Sequence, residues 1–387
     1  MKIAHVCPFY APAIGGVRQV VEELAKRQVK EGHEVHVYTS DWDKEKTVEK
    51  KYEIKDGISI HRCKSWFKIA NFVTVWPSVF SKLLKLKPDI IHTHLFAHPH
   101  FVLASWAAKI KKIPHIHTTH CPWTDANRSF IGRLGMKISY NFFSKTSLKK
   151  AAKIIAITPW EISFIKKYGG KDSQIVVIPN GTDKNLIQKI KNNDFKKLNK
   201  IKSTDKVVLF FGRLNITKGP EKFVRIAKSI LKERKKQDVT FVIRGPDEGM
   251  RQTVAKLIGS EKKIILLNET RDRKEIAKTY QAGDIYVMPS FREGLPLTLF
   301  EAMASSLPIV ASPVNGIPFE IKQPENGFLV PYKDEEKFKQ RIIELLDNEK
   351  LRKKISQNNL KRAKKSTWDY IFQKTMNVYQ DALPKLN

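Results

Sequence analysis

Two glutamates eight positions apart, Glu293 and Glu301, are the side chains of this sequence best placed to do chemistry. They bracket Glu293-Gly-Leu-Pro-Leu-Thr-Leu-Phe-Glu301, which reads as the mouth and second turn of a helix. A buried-looking strand, Asp284-Ile-Tyr-Val-Met-Pro-Ser290, runs into it. A strand, a turn and a helix N-terminus together form an anion site, because the first backbone N–H groups lack intrahelical partners and the helix dipole favours negative charge. Glu301, about two turns further in, could accept hydrogen bonds from a ribose whose diphosphate lies over that N-terminus. The spacing suits a nucleoside diphosphate. Each glutamate alone also fits ordinary helix electrostatics or a surface position.

Those residues need a scaffold, and the hydrophobic pattern supplies one twice. Residues 2–6 read as a strand; Gly15-Gly16 follows, then Val17, Val20, Val21, Leu24 and Ala25 at helical spacing, ending at Glu31-Gly32. With a strand at 33–38, this is a β-α-β unit whose crossover carries a glycine turn. Short strands at 88–94, 114–120 and 152–157, with helical stretches between, argue for a parallel, doubly wound sheet. A lysine- and asparagine-rich segment up to about residue 205 reads as a linker. The pattern then restarts with a strand at 207–211, a loop at 212–219, a helix at 223–231 and strands at 239–243 and 263–267. Ile371, Phe372, Met376 and Tyr379 give a last helix. The expected domains are 1–183, 184–366 and a terminal helix over 367–387. Ligands of such folds sit beyond the carboxyl ends of the strands, so two facing halves would share a cleft.

The length of 387 residues suits two domains, and 41% hydrophobic content marks a folded chain rather than a disordered one. Cys7, Cys63 and Cys121 are too few and too scattered for a disulfide framework or a thiolate metal cluster, which fits a reducing, cytosolic setting. The sequence shows no long apolar leader and no run of the ~18 apolar residues that a spanning helix needs. Asn127-Arg-Ser is then plain surface sequence. The net charge is +32; residues 51–200 hold 27 Lys/Arg against 8 Asp/Glu, while 301–350 hold 6 against 9. A basic half beside a near-neutral one implies an anionic partner, although the same lysines also suit solvated helix faces.

With those residues in place, nearly the whole chain resembles the family-4 retaining glycosyltransferases of GT-B fold. The matching pieces, in order, are Ala13-Ile-Gly-Gly-Val17, His92-Thr-His94, Thr118-Thr-His120, Pro179-Asn-Gly181, Gly212-Arg-Leu214 with Lys218-Gly219, and the Glu293/Glu301 block. The resemblance is to the branch holding phosphatidylinositol mannosyltransferases and the N-acetylglucosaminyl transferase of GPI-anchor synthesis. It implies an α/β fold of two Rossmann-like domains facing a cleft, with the terminal helix crossing back to the first domain. It implies a nucleotide-sugar donor held mainly by the second domain and an acceptor held mainly by the first. Carried over, Glu301 holds the donor ribose and Glu293 the sugar hydroxyls, while Arg213 and Lys218 clamp the diphosphate. Cations aimed at a leaving diphosphate stabilise the transition state, so the two lines of reasoning agree. Gly16 would let backbone approach the diphosphate, Leu297 and Thr298 offer N–H donors, His120 sits beside the donor sugar, and His94 borders the acceptor pocket. Three departures stand out: Pro296 lacks an N–H, Ser306 replaces a common glycine, and Gly316-Ile-Pro-Phe-Glu320 looks one residue long. The first two are expected near the donor and bear on which sugar is held.

Seven of eleven histidines fall between His92 and His120, and His92/His94 and His115/His117 alternate so that each pair shares one strand face. A metal site is conceivable, but no carboxylate or cysteine pair stands at ligand spacing, and the expectation is a polar, metal-free cluster. Asp41-Trp-Asp43 mimics a metal-binding D-x-D; it follows the second strand, far from the donor block, and is expected to be a solvated loop. Gly15-Gly16 is not G-x-G-x-x-G and no G-x-x-x-x-G-K-[ST] occurs, against a dehydrogenase and a P-loop enzyme. The stretches 64–72 and 79–87, with Trp66, Phe67, Lys82, Lys85 and Lys87, fit an interfacial amphipathic surface and equally an ordinary half-buried helix.

The expected function is retaining transfer of a hexose-type sugar from a nucleoside-diphosphate sugar to a hydroxyl acceptor, lipid-linked or glycan, without cofactor or required metal. The rivals are an epimerase or phosphorylase on the same fold and a basic nucleic-acid binder; the last lacks zinc-finger or RNP-like signatures. The expected location is cytoplasmic, free or peripheral on the membrane face.

Overall fold

The computed structural model describes residues 1–43, 45–69, 73–123, 130–234 and 238–384. The sequon at Asn127 and residues 70–72 of the aromatic stretch lie outside them. The chain divides into two compact units, Met1–Asn180 with Trp368–Asn387, and Gly181–Thr367.

Unit 1 is built on β1 (Lys2–Val6), β2 (Glu34–Ser40), β3 (Tyr52–Lys55), β4 (Ile58–Cys63), β7 (Ile90–His94), β8 (His115–Thr118), β9 (Lys153–Ala156) and β10 (Ile175–Val177). A two-stranded ribbon of β5 (Phe67–Ile69) and β6 (Val73–Val75) stands apart. The main sheet runs β10-β9-β8-β7-β1-β2-β4-β3, all parallel except the β3/β4 pair. That hairpin turns at Asp56-Gly57, both at positive φ (52° and 75°), the geometry Asp-Gly adopts in a two-residue hairpin. Both sheet faces are covered. Val79 and Leu83 of the Ser78–Leu86 helix pack with Ala104, Ala107 and Ala108 of the Pro99–Lys111 helix against Ala4, Val6 and Ile91. The Gly16–Lys30 helix packs against the Trp368–Ala382 helix. In that terminal helix Trp368, Ile371, Phe372, Met376 and Tyr379 are buried, each large apolar side chain worth roughly 1.5–3 kcal/mol.

Unit 2 comprises β11 (Lys206–Phe211), β12 (Val239–Arg244), β13 (Ile264–Leu266), β14 (Ile285–Met288), β15 (Ile309–Ala311) and β16 (Gly327–Leu329), in the order β13-β12-β11-β14-β15-β16. Counted along the unit this is 3-2-1-4-5-6, the doubly wound order, and every pair is parallel. The parallel strands of unit 1 follow the same rule from β1 outward. The strand order therefore reverses between β11 and β14 in unit 2 and between β1 and β7 in unit 1.

Two expectations change. The segment after Asp183 is not a linker but part of unit 2, because Leu186 and Phe195 are buried and Ile190 N–H donates to Gln281 Oε1 at 2.8 Å. Nor is the charge segregated by unit: unit 1 has 31 Lys/Arg against 16 Asp/Glu, and unit 2 has 40 against 23.

Candidate active site

In unit 2 the strand-order reversal leaves the carboxyl ends of β11 and β14 side by side, and the expected donor residues gather there. Gly212-Arg213 follows β11 directly. The loop to Lys218 is closed by Asn215, whose side chain accepts from Thr217 N–H at 3.0 Å, and Phe291 N–H donates to Thr217 O at 3.0 Å. Gly219 makes this approach possible: it sits at φ 68°, and a Cβ there would lie 2.2 Å from the Pro289 carbonyl oxygen. Lys218 is thereby held against Glu293, and the two form an ion pair with side chains only 14% and 5% exposed. Removing one partner of such a pair leaves an uncompensated buried charge.

Arg213 is more open and meets Glu248 through both carboxylate oxygens, at 2.9 and 3.0 Å. Glu248 follows β12 and reaches across because Gly245 packs its backbone on Gly212, where a Cβ would stand 1.9 Å from the carbonyl oxygen. The helix after β14 spans Leu297–Ala304, so Glu293 lies four residues ahead of it rather than at its mouth. Glu301 is in the second turn, and its Oε2 accepts from the Tyr280 hydroxyl at 2.8 Å. Tyr280 is buried and stacks on Phe211, and burial pushes its phenol well above the usual range. Leu297 and Thr298 open the helix, where backbone N–H groups have no intrahelical acceptor.

Ser306 is not near the helix mouth. It follows the far end of that helix at φ 61°, the left-handed position glycine usually takes after a helix.

In unit 1 the reversal between β1 and β7 carries histidines instead. The parallel register sets His5 opposite His92. His5 Nε2 meets Gln28 Oε1 at 2.7 Å, His5 Nδ1 meets His94 Nε2 at 3.0 Å, and His94 Nδ1 meets His120 Nε2 at 3.1 Å. His92 bridges the Tyr379 hydroxyl (2.6 Å) and Thr118 Oγ1 (2.7 Å). The Gln28 side-chain oxygen accepts a hydrogen bond from His5 Nε2–H, which leaves His5 Nδ1 to accept from His94 Nε2–H. His94 Nδ1 then accepts from His120 Nε2–H, which makes Nδ1 the unprotonated nitrogen of the neutral His120 ring.

Burial disfavours the imidazolium throughout. His5 is lowered from 6.5 to about 4 and His120 to about 3, with His92 and His94 well below 6.5. His5, His92 and His94 bring ligand atoms within 4.8 Å of one another, yet all six of their nitrogens already have hydrogen-bond partners. A metal ion there would have to break those bonds. His94 is fully enclosed, so it does not itself border a pocket; its Nδ1 meets half-buried His120.

His120 and Cys121 both lie at positive φ, 59° and 54°, and buried Glu161 holds that turn. Its carboxylate accepts from Cys121 N–H and Ile157 N–H, each at 2.7 Å, and from the Trp123 indole at 3.0 Å. Gly16 opens the Gly16–Lys30 helix just beyond β1, with no acidic residue in the first turn.

Other expected residues stand apart from both clusters. Lys82 is half-buried and Lys85 and Lys87 exposed around the Ser78–Leu86 helix, whose apolar stripe is spent on the core. Asp41 is not solvated: it is buried, and despite that burial Lys51 at 2.9 Å and Ser65 N–H hold its carboxyl below the usual range. Sequence reasoning missed His5, Gln28, Glu161, Glu248, Tyr280 and, as a polar partner, Tyr379. Only His5 had a local signal, its place on β1 of the first β-α-β unit.

Comparisons with known proteins bear on the family and the fold. A family model described as glycosyltransferase family 4 matches residues 14–186, and one described as glycosyl transferases group 1 matches 191–362. The chain is 30% identical to the UDP-Gal:alpha-D-GlcNAc-diphosphoundecaprenol alpha-1,3-galactosyltransferase of Escherichia coli, over 71% of this chain and 70% of that one. It is 28% identical to an uncharacterized glycosyltransferase of Methanocaldococcus jannaschii over 99% of both. The Anabaena HepE structure in complex with UDP superposes with a TM-score of 0.77 at 17% identity, covering 98% of this chain and all of that one.

Proposed function

The chain belongs to the family-4 glycosyltransferases of GT-B fold, and we propose that it moves a hexose-type sugar from a nucleoside-diphosphate sugar to a hydroxyl acceptor with retention of configuration. The observation that carries this reading is the cluster at the ends of β11 and β14. There Lys218 pairs with Glu293, Arg213 at the end of β11 pairs with Glu248, and Glu301 projects from the helix after β14. A diphosphate arriving over Leu297 and Thr298 would draw Lys218 and Arg213 from their carboxylates, freeing Glu293 for the sugar hydroxyls.

In the transfer, the bond between the anomeric carbon and the diphosphate oxygen breaks with its electron pair going to the diphosphate. A bond forms from the acceptor oxygen on the same face, and the acceptor proton passes to the departing diphosphate. Charge grows on the diphosphate as this happens, and two pre-placed cations favour that state over the ground state. They supply the charge neutralisation that a divalent ion supplies elsewhere, so no metal is required. Neutral His120 contributes a hydrogen bond to a hydroxyl without adding charge.

UDP is the favoured nucleotide, since the Anabaena relative was solved with it and the Escherichia coli relative is named for UDP-Gal. A lipid-linked acceptor follows the second of these names, in which the acceptor is a diphosphoundecaprenol. Thermal shifts with UDP-, GDP- and ADP-sugars, followed by product analysis with and without acceptor, test the reading. A sugar nucleotide isomerised without acceptor would make the protein an epimerase, and phosphate-dependent release of a sugar phosphate would make it a phosphorylase.

A further inference from the structure

A row of neutral imidazoles can be hydrogen-bonded in either direction. Along His5, His94 and His120 each contact pairs one N–H with one lone pair, and reversing every bond satisfies the same contacts. Nothing inside the row selects a direction, so the choice falls to its ends. The difference matters at His120, the one ring of the three that is not fully buried. Its Nε2 is engaged with His94, so a ligand hydroxyl meets the ring at Nδ1. Run one way, Nδ1 is an acceptor; run the other way, it carries the proton and donates.

The inner end is Gln28, buried on the Gly16–Lys30 helix, whose Oε1 meets His5 Nε2 at 2.7 Å. A side-chain amide can serve a donor or an acceptor by turning over, and here the terminal helix fixes which. Gln28 Nε2 faces Met376 Sδ at 4.0 Å and the Tyr379 hydroxyl at 3.4 Å. The thioether sulfur can only accept, so the NH2 group belongs on that side and the oxygen beside His5. The Tyr379 hydroxyl accepts from Gln28 and donates to His92 Nδ1 at 2.6 Å, and His92 Nε2–H donates to Thr118 Oγ1 at 2.7 Å. One head-to-tail series thus runs from His120 through His94, His5, Gln28, Tyr379 and His92 to Thr118, each group donating to the next. Burial keeps the rings at one proton each near neutral pH, with His5 lowered to about 4 and His120 to about 3.

We propose that Gln28 is a positioning residue for the transfer: oriented by Met376 and Tyr379, it sets the direction of the series and holds His120 Nδ1 as the acceptor for a substrate hydroxyl. The site then favours a hydroxyl, which can donate, over a methoxy or fluorine substituent, which cannot. This role rests on the His120 hydroxyl contact of the proposed function and adds what fixes its polarity.

NMR of the histidine-labelled full chain, with His120 assigned through His120→Asn, reads which ring nitrogen carries the proton without any ligand. Wild type shows His120 protonated at Nε2 alone. Gln28→Leu leaves His5 Nε2 without its acceptor, and a second His120 form, protonated at Nδ1, becomes populated. Tyr379→Phe, which loosens the amide while filling the same space, gives that form to a smaller extent. In kinetics with the identified donor, Gln28→Leu lowers kcat/KM about three- to tenfold, with nucleoside-diphosphate affinity within about twofold of wild type. Added to His120→Asn it costs less than about twofold more, because both changes remove one contact. Circular dichroism and the retained nucleotide affinity separate these effects from unfolding.

A wild-type His120 protonated at Nδ1, or a ring unchanged in both Gln28→Leu and Tyr379→Phe, would overturn the assignment. So would additive losses in the double variant, the mark of a purely structural Gln28. Tautomers that respond as expected in a protein that transfers no sugar leave the polarity assignment standing and count against the transfer reading alone.

Discussion

The two units share one topology and put opposite chemistry at the same place in it. Where the strand order reverses in unit 2, Lys218/Glu293 and Arg213/Glu248 face each other as ion pairs. At the equivalent place in unit 1, His5, His94 and His120 form a chain of neutral rings. All eleven histidines and all seven tryptophans lie in unit 1 and none in unit 2. The doubly wound fold thus decides where a ligand is received, and the side chains at the strand ends decide what kind. Paired charges that can re-pair suit a diphosphate, whose charge grows during the reaction. Rings kept neutral by burial suit hydroxyl groups, which need direction more than charge.

The largest expected effect falls on the charged side. Arg213→Ala and Lys218→Ala should each lower kcat at saturating donor about 100- to 1,000-fold, because their partner charge is greatest in the transition state. If KM rises while kcat holds, they are ground-state anchors, and the contrast with the neutral side weakens. Glu301→Gln should cost about 2–4 kcal/mol in kcat/KM, roughly 30- to 1,000-fold, through lost ribose hydrogen bonds. Steady-state kinetics with the identified donor would read both.

On the neutral side, Glu161→Gln places an amide N–H against the backbone donors that fix the His120 turn. A loss of about 1–3 kcal/mol should follow, seen as a lower denaturant midpoint by tryptophan fluorescence. An unchanged midpoint would mean the turn holds itself.

Acid should separate the units. His5 and His100 are lowered to about 4 and His115 and His120 to about 3, while unfolded histidine titrates near 6.5. Between those values the unfolded chain binds protons that the native rings refuse. Stability therefore falls as pH drops from about 6.5 towards 4, by about 1.4 kcal/mol per pH unit for each histidine. Tryptophan fluorescence, which reports unit 1 alone, should show unfolding at a higher pH than circular dichroism of the whole chain. Coincident transitions would remove the distinction.

The smallest effect is expected away from both clusters. Ser306→Gly should stabilise by up to about 1 kcal/mol by relieving a left-handed serine, with donor kinetics untouched. A change in sugar preference would restore Ser306 to the donor site.

Much of this was legible in the chain because local patterns suffice for it. Runs such as Val207–Phe211 and Asp284–Met288 are β-branched and aromatic, and each is followed by a glycine-bearing turn, so strands, loops and the donor block could be placed in order. The β3/β4 hairpin went unread although Asp56-Gly57 marks it. The partners that shape the site were not legible, because they come from distant parts of the chain. Glu248 meets Arg213 only through the Gly245–Gly212 contact, Tyr280 meets Glu301 from the preceding helix, and Gln28 and Tyr379 reach the histidines from two helices packed on one sheet face. Burial likewise turned His94 from a presumed pocket residue into an internal one.

Calorimetric titration of UDP, GDP and ADP into the full-length wild type, Glu301→Gln and His120→Asn tests the central claim most directly. Saturable binding of one nucleotide to wild type is expected, weakened about 30-fold or more in Glu301→Gln and within a few-fold of wild type in His120→Asn. Equal affinity for wild type and Glu301→Gln, or loss confined to His120→Asn, would contradict a donor site at the ends of β11 and β14.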